Sequence, residues 1–210
     1  MNRINYQRKL DRLIESFSGA DEPPTLLLHC CCGPCSSYTL EYLSDYFQIT
    51  AFFYNPNIAP REEYDHRFSE FRRLVSEMHT KYPITIIEGE YHPSVFYEAV
   101  KGLEKEPELG ERCFVCYRLR MERAALLAQK FGCDFFTTTL SISPKKNADK
   151  INEIGESLSE IYHIKHLPSD FKRKKGYERS IVITREHQIY RQDYCGCVFS
   201  MRHDITSQTK

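Results

Sequence analysis

Short apolar segments alternate with longer amphipathic segments along most of this chain. The short apolar segments have the length of strands and predict five of them, at residues 25–29, 48–54, 84–87, 133–139 and 161–166. The longer segments carry apolar residues three or four positions apart and predict helices at residues 34–47, 60–81, 93–103, 111–131 and 148–161. Because strands that alternate with helices form parallel sheets, we expect an α/β fold with helices on both faces of the sheet.

A length of 210 residues suits a single core of good size. Residues 1–17 are charged and polar, with apolar residues at helical spacing, and predict an amphipathic helix. We therefore expect a helical extension at residues 1–21, one α/β catalytic domain at residues 22–202, and a tail at residues 203–210.

The apolar segments are too short to cross a membrane, since a spanning helix needs roughly 20 consecutive apolar residues. The N-terminal segment has no apolar stretch of the kind that a signal peptide requires. These features predict a cytoplasmic protein that does not enter a membrane, in a compartment where thiols stay reduced.

The turn after the first predicted strand is the place where a parallel α/β sheet binds its ligands. A nucleotide-binding protein would have a glycine-rich phosphate loop there. This chain has the sequence CCCGPC at residues 30–35, and neither a G-x-G-x-x-G nor a Walker sequence occurs in it. ATP and NAD are therefore disfavoured as ligands, and we expect a cysteine-rich metal site at the carboxyl ends of the strands.

Seven of the nine cysteines lie in three short clusters, and Cys30 is an additional member of the first. The clusters are formed by Cys31, Cys32 and Cys35, by Cys113 and Cys116, and by Cys195 and Cys197. They are far apart in the sequence, so only the fold can bring them together. Clustered thiols in an intracellular protein indicate metal binding or redox chemistry. Cys133 stands alone at the start of a predicted strand and is expected to be a core residue.

Cys35 and the Cys113/Cys116 pair lie at predicted helix starts, where the helix dipole favours the thiolate that binds metal. Four such ligands suit zinc or an iron–sulfur cluster equally well. The number of cysteines exceeds what one zinc ion needs, which favours iron–sulfur. The Cys195-Gly196-Cys197 segment is able to form a strained, redox-active disulfide or to bind a second metal.

Two other classes of function fit the same thiols. One is a metal-independent thiol–disulfide or sulfur-transfer enzyme that uses the Cys195/Cys197 pair. The other is a non-catalytic, zinc-stabilised RNA-binding module, which would unfold when its metal is removed.

The net charge is zero, but residues 165–191 are rich in Lys and Arg. The densest part of this region is residues 171–177 (FKRKKGY), in which four consecutive Lys and Arg residues, called the basic run below, lie next to aromatic residues. A solvated surface loop and a phosphate-contacting patch both agree with this pattern. The candidate nucleic-acid contacts are Lys172, Arg173, Lys174, Lys175 and Arg191.

Several motifs occur in an order that resembles the QueH family, the cobalamin-independent epoxyqueuosine reductases. The matching segments are residues 29–35 (HCCCGPC), 111–120 (ERCFVCYRLR), 137–140 (TTTL), 143–145 (SPK), 170–172 (DFK), 176–177 (GY) and 190–197 (YRQDYCGC). The resemblance extends over residues 26–200, and five ordered groups of motifs are a specific signal. In that family's pattern the position of Cys30 varies, and residues 1–21 lie outside the pattern.

The resemblance implies a Rossmann-like sheet of the HUP type, related to the PP-loop ATPases. It implies a [4Fe–4S] cluster held by Cys31, Cys32, Cys113 and Cys116. It also implies an additional iron, with Cys35, Cys195, Cys197 and Asp193 as candidate ligands. The candidate catalytic residues are Cys195 and Cys197, as a redox-active pair or as iron ligands, together with Asp193 and Tyr194.

The implied reaction reduces epoxyqueuosine to queuosine in tRNA, the last reduction of queuosine biosynthesis. Converting the epoxide to an alkene takes two electrons and two protons and releases water. The implied partners are tRNA carrying epoxyqueuosine and an external electron donor of the ferredoxin or flavodoxin type. Candidate proton donors are Tyr190, Tyr194, Asp193, Asp170 and His29, with His29 expected to be a packed strand-end residue.

Overall fold

The computed structural model describes residues 4–17 and 22–201. Within these residues the helices are α1 (Tyr6–Glu15), α2 (Gly33–Leu43), α3 (Arg61–Glu77), α4 (Pro93–Ala99), α5 (Glu111–Phe131), α6 (Ala148–Tyr162) and α7 (Gly176–Glu186). The strands are β1 (Thr25–Cys30), β2 (Gln48–Phe53), β3 (Thr85–Glu88), β4 (Phe135–Thr138) and β5 (Lys165–His166). The prediction of alternating strands and helices is confirmed.

All five strands are parallel and lie in the order β3-β2-β1-β4-β5. The chain adds β2 and β3 on one side of β1 and then crosses to add β4 and β5 on the other. The switch in strand order therefore falls between β1 and β4, and the loops that follow these two strands flank it. This is the position at which open α/β sheets bind ligands.

Helices cover both faces of the sheet, as predicted. Along β1, Leu26 and Leu28 belong to a core shared with α1, α2 and α3, whereas Leu27 belongs to a core shared with α5 and α6. Successive side chains of a strand point to opposite faces, so a strand buried on both sides must be apolar throughout. These three leucines have no exposed surface, and each contributes about 1.5–3 kcal/mol through burial.

The N-terminal helix is part of this core. The Asn5 side chain caps α1 by accepting a hydrogen bond from the backbone N–H of Arg8 at 3.0 Å. Leu10 and Ile14 of α1 are buried in the core formed with α2 and α3. The helix predicted for residues 1–17 is thus observed at Tyr6–Glu15. Residues 18–21 and the tail predicted at 203–210 lie outside the described residues.

Strand boundaries differ from prediction mainly at β5. The apolar segment 161–166 predicts a strand of six residues, but Ile161 and Tyr162 form the end of α6 and only Lys165 and His166 pair with β4. The apolar positions of residues 161–166 agree equally well with the end of an amphipathic helix and with an edge strand. In the structure the first part of the segment is helical, because α6 packs against α5. In the described residues no helix is long and apolar enough to cross a membrane.

Truncating a core contact of α1 tests whether this helix stabilises the domain. We expect Leu10→Ala to lower the free energy of unfolding by about 2–5 kcal/mol, because a fully buried leucine would leave a cavity. Ile4→Ala is the control, since Ile4 is half-exposed and its truncation should stay within about 0.5 kcal/mol. Urea denaturation measures both, and equal effects would show that α1 is peripheral.

Candidate metal centre

The first cysteine cluster leaves the carboxyl end of β1 and enters α2. Cys32 is the N-cap residue of α2 in an extended conformation, and Pro34 occupies the first turn, where its missing N–H is not needed. Cys31 and Cys32 are buried, and Cys35 is partly exposed. The first candidate ligands of the metal site predicted for the ends of the strands therefore lie at the switch in strand order.

Cys31, Cys32 and Cys35 form a compact trio. Their sulfur atoms all lie within 4.8 Å of one another, and the Cys31 and Cys32 sulfurs are 3.9 Å apart. Across residues 4–17 and 22–201, this is the one group of three or more His, Cys, Asp or Glu side chains that is as compact. Three soft sulfur ligands at this spacing are able to hold a metal ion.

Hydrogen bonds to the trio favour a thiolate. Cys31 accepts hydrogen bonds from the thiols of Cys32 and Cys35 and from the Thr139 hydroxyl at 3.4 Å. These donors hold the pKa of Cys31 well below its usual range, whereas the same contacts raise the pKa of Cys35. The Gln192 amide donates to the Cys32 sulfur at 3.0 Å. The trio is thus prepared for at least one negative charge.

Cys113 and Cys116 lie in the first two turns of α5. The backbone N–H of Leu109 donates to the Cys113 sulfur at 3.2 Å. Burial raises the pKa of Cys116 to about 12. Both residues line a small, partly open chamber of about 20 Å³, together with Cys195 and Cys197. The second and third cysteine clusters therefore meet at one place.

The Cys195-Gly196-Cys197 segment is held against α3 by Arg67. The Arg67 guanidinium donates to the Tyr194 carbonyl at 3.3 Å and to the Cys195 carbonyl at 3.2 Å. Glu63 neutralises this buried arginine at 2.6 Å. Gly196 adopts a φ of +124° and its carbonyl accepts a hydrogen bond from the Ala59 N–H at 2.9 Å. The segment is therefore a fixed loop and not a loose tail.

All nine cysteines are free thiols. The structure therefore gives no support to the disulfide that the Cys195/Cys197 pair suggests from sequence. Cys30 is fully buried in the core with α2 and α3. Cys133 packs at the edge of the core with α5 and α6. Cys133 is thus the core residue that the sequence predicts, and the Cys30 side chain is buried in the core on the other face of the sheet from Cys31 and Cys32.

A fully buried arginine lies beside the chamber. Arg120 follows Cys116 by one turn of α5, and its Nε donates to the Cys116 carbonyl at 3.2 Å. Its Nη1 contacts the Asn55 side-chain oxygen at 3.4 Å, and its Nη2 has no hydrogen-bond partner. Burial lowers its pKa, but the negative charge that Cys116 and Cys195 would carry when ionised raises it by more. Arg120 is a permanent positive charge among the cysteines.

An open cleft of about 290 Å³ leads from the surface to the cysteines. Its lining includes Cys35, Cys113 and Cys195, which come from all three clusters. Its remaining polar and aromatic lining includes Tyr117, Ser143, Lys145, Lys146, Tyr177, Arg191, Gln192, Asp193 and Tyr194. The cleft therefore gives a ligand access to every group of thiols at once.

Lys146 lies in the lining of this cleft. Burial lowers its pKa, but the negative charge that Cys195 and Cys35 would carry when ionised raises it by more, so that Lys146 remains a cation. Cations that line a cleft attract anionic groups and stabilise negative charge that develops there. Lys145 and Arg191 are exposed in the same lining.

The candidate proton donors differ in their access to the cleft. Asp193 is exposed in its lining, and Tyr194 lines it while donating its hydroxyl to the Ala59 carbonyl at 2.6 Å. His29 is fully buried and bonded to the Thr138 hydroxyl at 2.8 Å and the Tyr54 carbonyl at 3.0 Å. Burial lowers the pKa of His29 to about 4. His29 is therefore the packed strand-end residue that the sequence predicts.

Much of the basic run is already paired within the chain. Asp170 accepts Lys172 at 2.7 Å and Arg173 at 3.1 Å, and Lys174 pairs with Asp11 of α1 at 2.7 Å. Their charges are thus partly neutralised, while Arg191 reaches the cleft and donates to the Thr184 hydroxyl at 2.9 Å. The strongest cationic lining of the cleft comes from outside the run.

The sequence analysis did not single out Arg67, Arg120, Lys146 or Gln192 as functional residues. Three of them lie inside or next to the motifs: Arg120 in residues 111–120, Lys146 just after residues 143–145, and Gln192 in residues 190–197. Arg67 lies in an ordinary charged helix, and its role arises only from contacts with a loop more than a hundred residues away. No local pattern indicates it.

Comparison with known proteins agrees with the geometry of the site. The family model described as "Epoxyqueuosine reductase QueH" matches residues 26–203. A protein of that name from Staphylococcus epidermidis is 45% identical over 202 residues, covering 94% of this chain and 85% of the relative. Proteins of the same name from Streptococcus pyogenes and Thermotoga maritima are 42% and 37% identical, covering 95% and 84% of this chain and 79% and 90% of their own lengths.

The conformation of Gly196 generates a test of the loop that holds the third cluster. A Cβ at this position would lie 3.0 Å from Ile58 Cγ1 and 3.1 Å from Arg67 Nη1, at a φ that side chains rarely adopt. We expect Gly196→Ala to lower the free energy of unfolding by about 1–3 kcal/mol and to reduce metal content.

The matched control is Gly102→Ala. Gly102 has a positive φ of +85°, but a methyl group added there would have nothing within 4 Å of it. The control reports backbone strain alone, and we expect it to leave metal content unchanged. Urea denaturation and metal analysis measure both variants. Equal metal content in the two variants would contradict a role for the Cys195-Gly196-Cys197 loop in binding.

Proposed function

This chain belongs to the epoxyqueuosine reductase QueH family, and we propose that it carries out the family reaction in the cysteine-lined cleft. It is an oxidoreductase that reduces epoxyqueuosine to queuosine in tRNA. The observation that carries the proposed location is the convergence of all three cysteine clusters on one opening. Neither a metal-independent thiol enzyme nor a structural RNA-binding module accounts for that family membership.

The residues fit an iron–sulfur centre by the chemistry of their donor atoms. Seven thiols converge without a histidine among them, and thiolate-only ligation is the usual environment of iron–sulfur clusters. The N–H groups of Gln192 and Leu109 donate to the Cys32 and Cys113 sulfurs, and such bonds stabilise negatively charged thiolates.

We propose the following division of the thiols. A [4Fe–4S] cluster is held by Cys31, Cys32, Cys113 and Cys116. An additional iron draws its ligands from Cys35, Cys195, Cys197 and Asp193. The closeness of Cys35 to Cys31 and Cys32, within 4.8 Å, also makes it an alternative ligand for the first site. When bound, these groups supply electrons and a Lewis acid for the epoxide oxygen.

The chain itself supplies binding, orientation and protons. Two protons must reach the substrate as the epoxide oxygen leaves as water. Asp193 is our proposed proton carrier in the case that the additional iron uses only the thiols, because its side chain is exposed in the cleft to solvent. Lys146 provides positive charge where the oxygen gains negative charge. Tyr194 holds the adjacent Cys195-Gly196-Cys197 loop in place by donating its hydroxyl to the Ala59 carbonyl.

The size of the cleft indicates how the tRNA is bound. A volume of about 290 Å³ lies at the lower limit of ligand pockets and suits one splayed nucleoside with its modification. Tyr117 and Tyr177 in the lining are suited to stack on the base. The phosphates on either side of that nucleoside would then lie against the basic rim, where Lys145 and Arg191 are exposed.

Three further proposals concern partners, location and ancestry. We propose a ferredoxin- or flavodoxin-type donor, because two-electron reduction needs an external source of low-potential electrons. We propose a cytoplasmic location, where tRNA is available and free thiols persist. We also propose that the sheet is Rossmann-like and related to the HUP type, supported by its parallel strand order β3-β2-β1-β4-β5.

The central test combines metal analysis with product analysis. Anaerobically purified protein should contain about four or more irons with matching sulfide, and its addition together with a low-potential chemical reductant should convert epoxyqueuosine in tRNA to queuosine. Cys31→Ala should lose most of the iron and the activity. Cys30→Ala is the control and should keep both, because Cys30 is buried in the core with α2 and α3.

Purified protein with stoichiometric zinc and no iron would contradict the proposed centre while leaving the family reaction intact. Loss of iron in Cys30→Ala equal to that in Cys31→Ala would contradict the division between functional and core cysteines.

Ion pairing within the basic run generates a prediction about tRNA binding. We expect Lys145→Gln combined with Arg191→Gln to weaken tRNA affinity. The slope of the logarithm of affinity against the logarithm of salt concentration should become shallower by about one for each residue replaced, since each loses one phosphate contact. Lys174→Gln should have a smaller effect on affinity, because Lys174 is paired with Asp11. Filter binding at several salt concentrations measures these changes.

Arg72→Gln is the control for a change of charge alone, since Arg72 is exposed on α3 and does not line the cleft. A larger loss of affinity in Lys174→Gln than in the double variant would place the phosphates on the basic run.

A further inference from the structure

Arg120 is a buried cation without a carboxylate partner. Its exposed fraction is 2%. The two oxygens that it contacts, the Cys116 carbonyl and the Asn55 amide, are both uncharged. Among the described residues no Asp or Glu pairs with it, whereas the equally buried Arg67 has Glu63 at 2.6 Å. The two arginines differ in how their charge is balanced.

An unbalanced buried charge is costly. Removing an ion from water costs several kcal/mol even after the surrounding protein relaxes. Arg120 cannot avoid this cost by losing its proton, because a guanidinium stays charged in proteins. An anion must therefore lie beside it in the functional state of the molecule.

The groups that face Arg120 identify that anion. The thiols of Cys116, Cys195 and Cys31 are groups able to become negative whose charge would act on Arg120, and they belong to three different clusters. Arg120 lines the chamber of about 20 Å³ with Cys113, Cys116, Cys195 and Cys197. Its Nη2 has no partner, so one charged donor remains available at this point.

The other charged groups in the lining of the chamber are Glu108, which is exposed and forms no ion pair with Arg120, and Arg112, a second buried cation that donates to backbone carbonyls. Asn57 also lines the chamber and its side-chain oxygen is buried without a partner, but that oxygen is neutral. His29 is buried on the same side and its pKa is lowered by burial and by the charge of Arg120, so it adds no negative charge. Lys146 adds a second positive charge facing Cys195 and Cys31.

We propose that Arg120 is the counter-cation of the metal centre and that it sets the reduction potential of that centre. This inference rests on the proposed function, because it requires a thiolate-bound iron–sulfur group. A cluster with four thiolates carries net negative charge, and reduction adds more. A fixed buried cation stabilises the reduced form and shifts the potential to more positive values, so that the centre accepts electrons more readily.

Arg120 is thus a positioning and tuning residue whose effect must depend on the presence of the metal. In the metal-free protein its charge has no carboxylate ion pair among the described residues, and the thiolate favoured at Cys31 balances it only in part. In the loaded protein the same charge is stabilising. A residue with a purely structural role, bonded to Cys116 and Asn55, would stabilise both forms alike.

The experiment compares Arg120→Met with the wild type in metal-free and iron-loaded forms. We expect the metal-free variant to melt at the same temperature as the metal-free wild type or higher, because a buried unpaired charge is replaced by an apolar side chain of similar length. We expect the rise in melting temperature on iron loading to be smaller in the variant, and its midpoint potential to be more negative.

Two further variants complete the design. Arg120→Lys retains the charge and should restore the potential most of the way to the wild-type value. Arg123→Met changes an exposed arginine on the same helix and should alter neither stability nor potential.

Each outcome decides the question. A metal-free Arg120→Met that melts lower than the wild type, or fails to fold, would show a structural role and overturn the proposal. An unchanged potential in the loaded Arg120→Met, or no restoration by Arg120→Lys, would overturn it as well. If the wild type binds no iron, the proposed iron–sulfur centre fails, and the metal-free melting temperatures still report whether Arg120 is an unbalanced charge.

Discussion

Parallel pairing of β1 between β2 and β4 is the constraint on which the rest of the structure depends. It brings the ends of these three strands to one edge of the sheet, so that the segments following them converge. His29 strengthens this edge by bonding β4 through Thr138 and the end of β2 through Tyr54. Because His29 is neutral and buried, it links three strands without adding charge next to the cysteines. The cysteine trio begins two residues later, on a rigid support.

Helices deliver the other two clusters to the same edge. α5 packs on β1 and β4, which fixes the position of Cys113 and Cys116 at its start. The third cluster has no regular element of its own and depends on Arg67 of α3, whose bonds replace the missing backbone pairing of that loop. The Arg67–Glu63 pair is neutral as a unit, so it holds the loop without changing the charge of the site.

The sequence predicts the architecture well, because its signals are local. Short apolar strands, the proline at the start of α2 and the cysteine clusters are all visible within short windows of the sequence. The failures are long-range. β5 is shorter than predicted because the first residues of its apolar segment belong to the end of α6. The charge of the basic run is partly neutralised by Asp11, which lies near the other end of the chain. Arg67 and Arg120 have no distinctive local pattern, since only their partners in the fold give them a role.

These observations separate two tasks that a metal centre imposes on its protein. Clustered thiols provide the donor atoms, and their spacing makes them recognisable in the sequence. The negative charge of the thiolates is balanced by cations. Which cations contribute depends on their burial and on whether a carboxylate already pairs with them. Arg67 and Arg120 show the difference: both are buried to the same degree near the cysteines, yet Glu63 cancels one charge and leaves the other for the thiolates. The electrostatics of the centre therefore follow from the lack of a carboxylate ion pair at Arg120, among the described residues, as much as from the cysteines themselves.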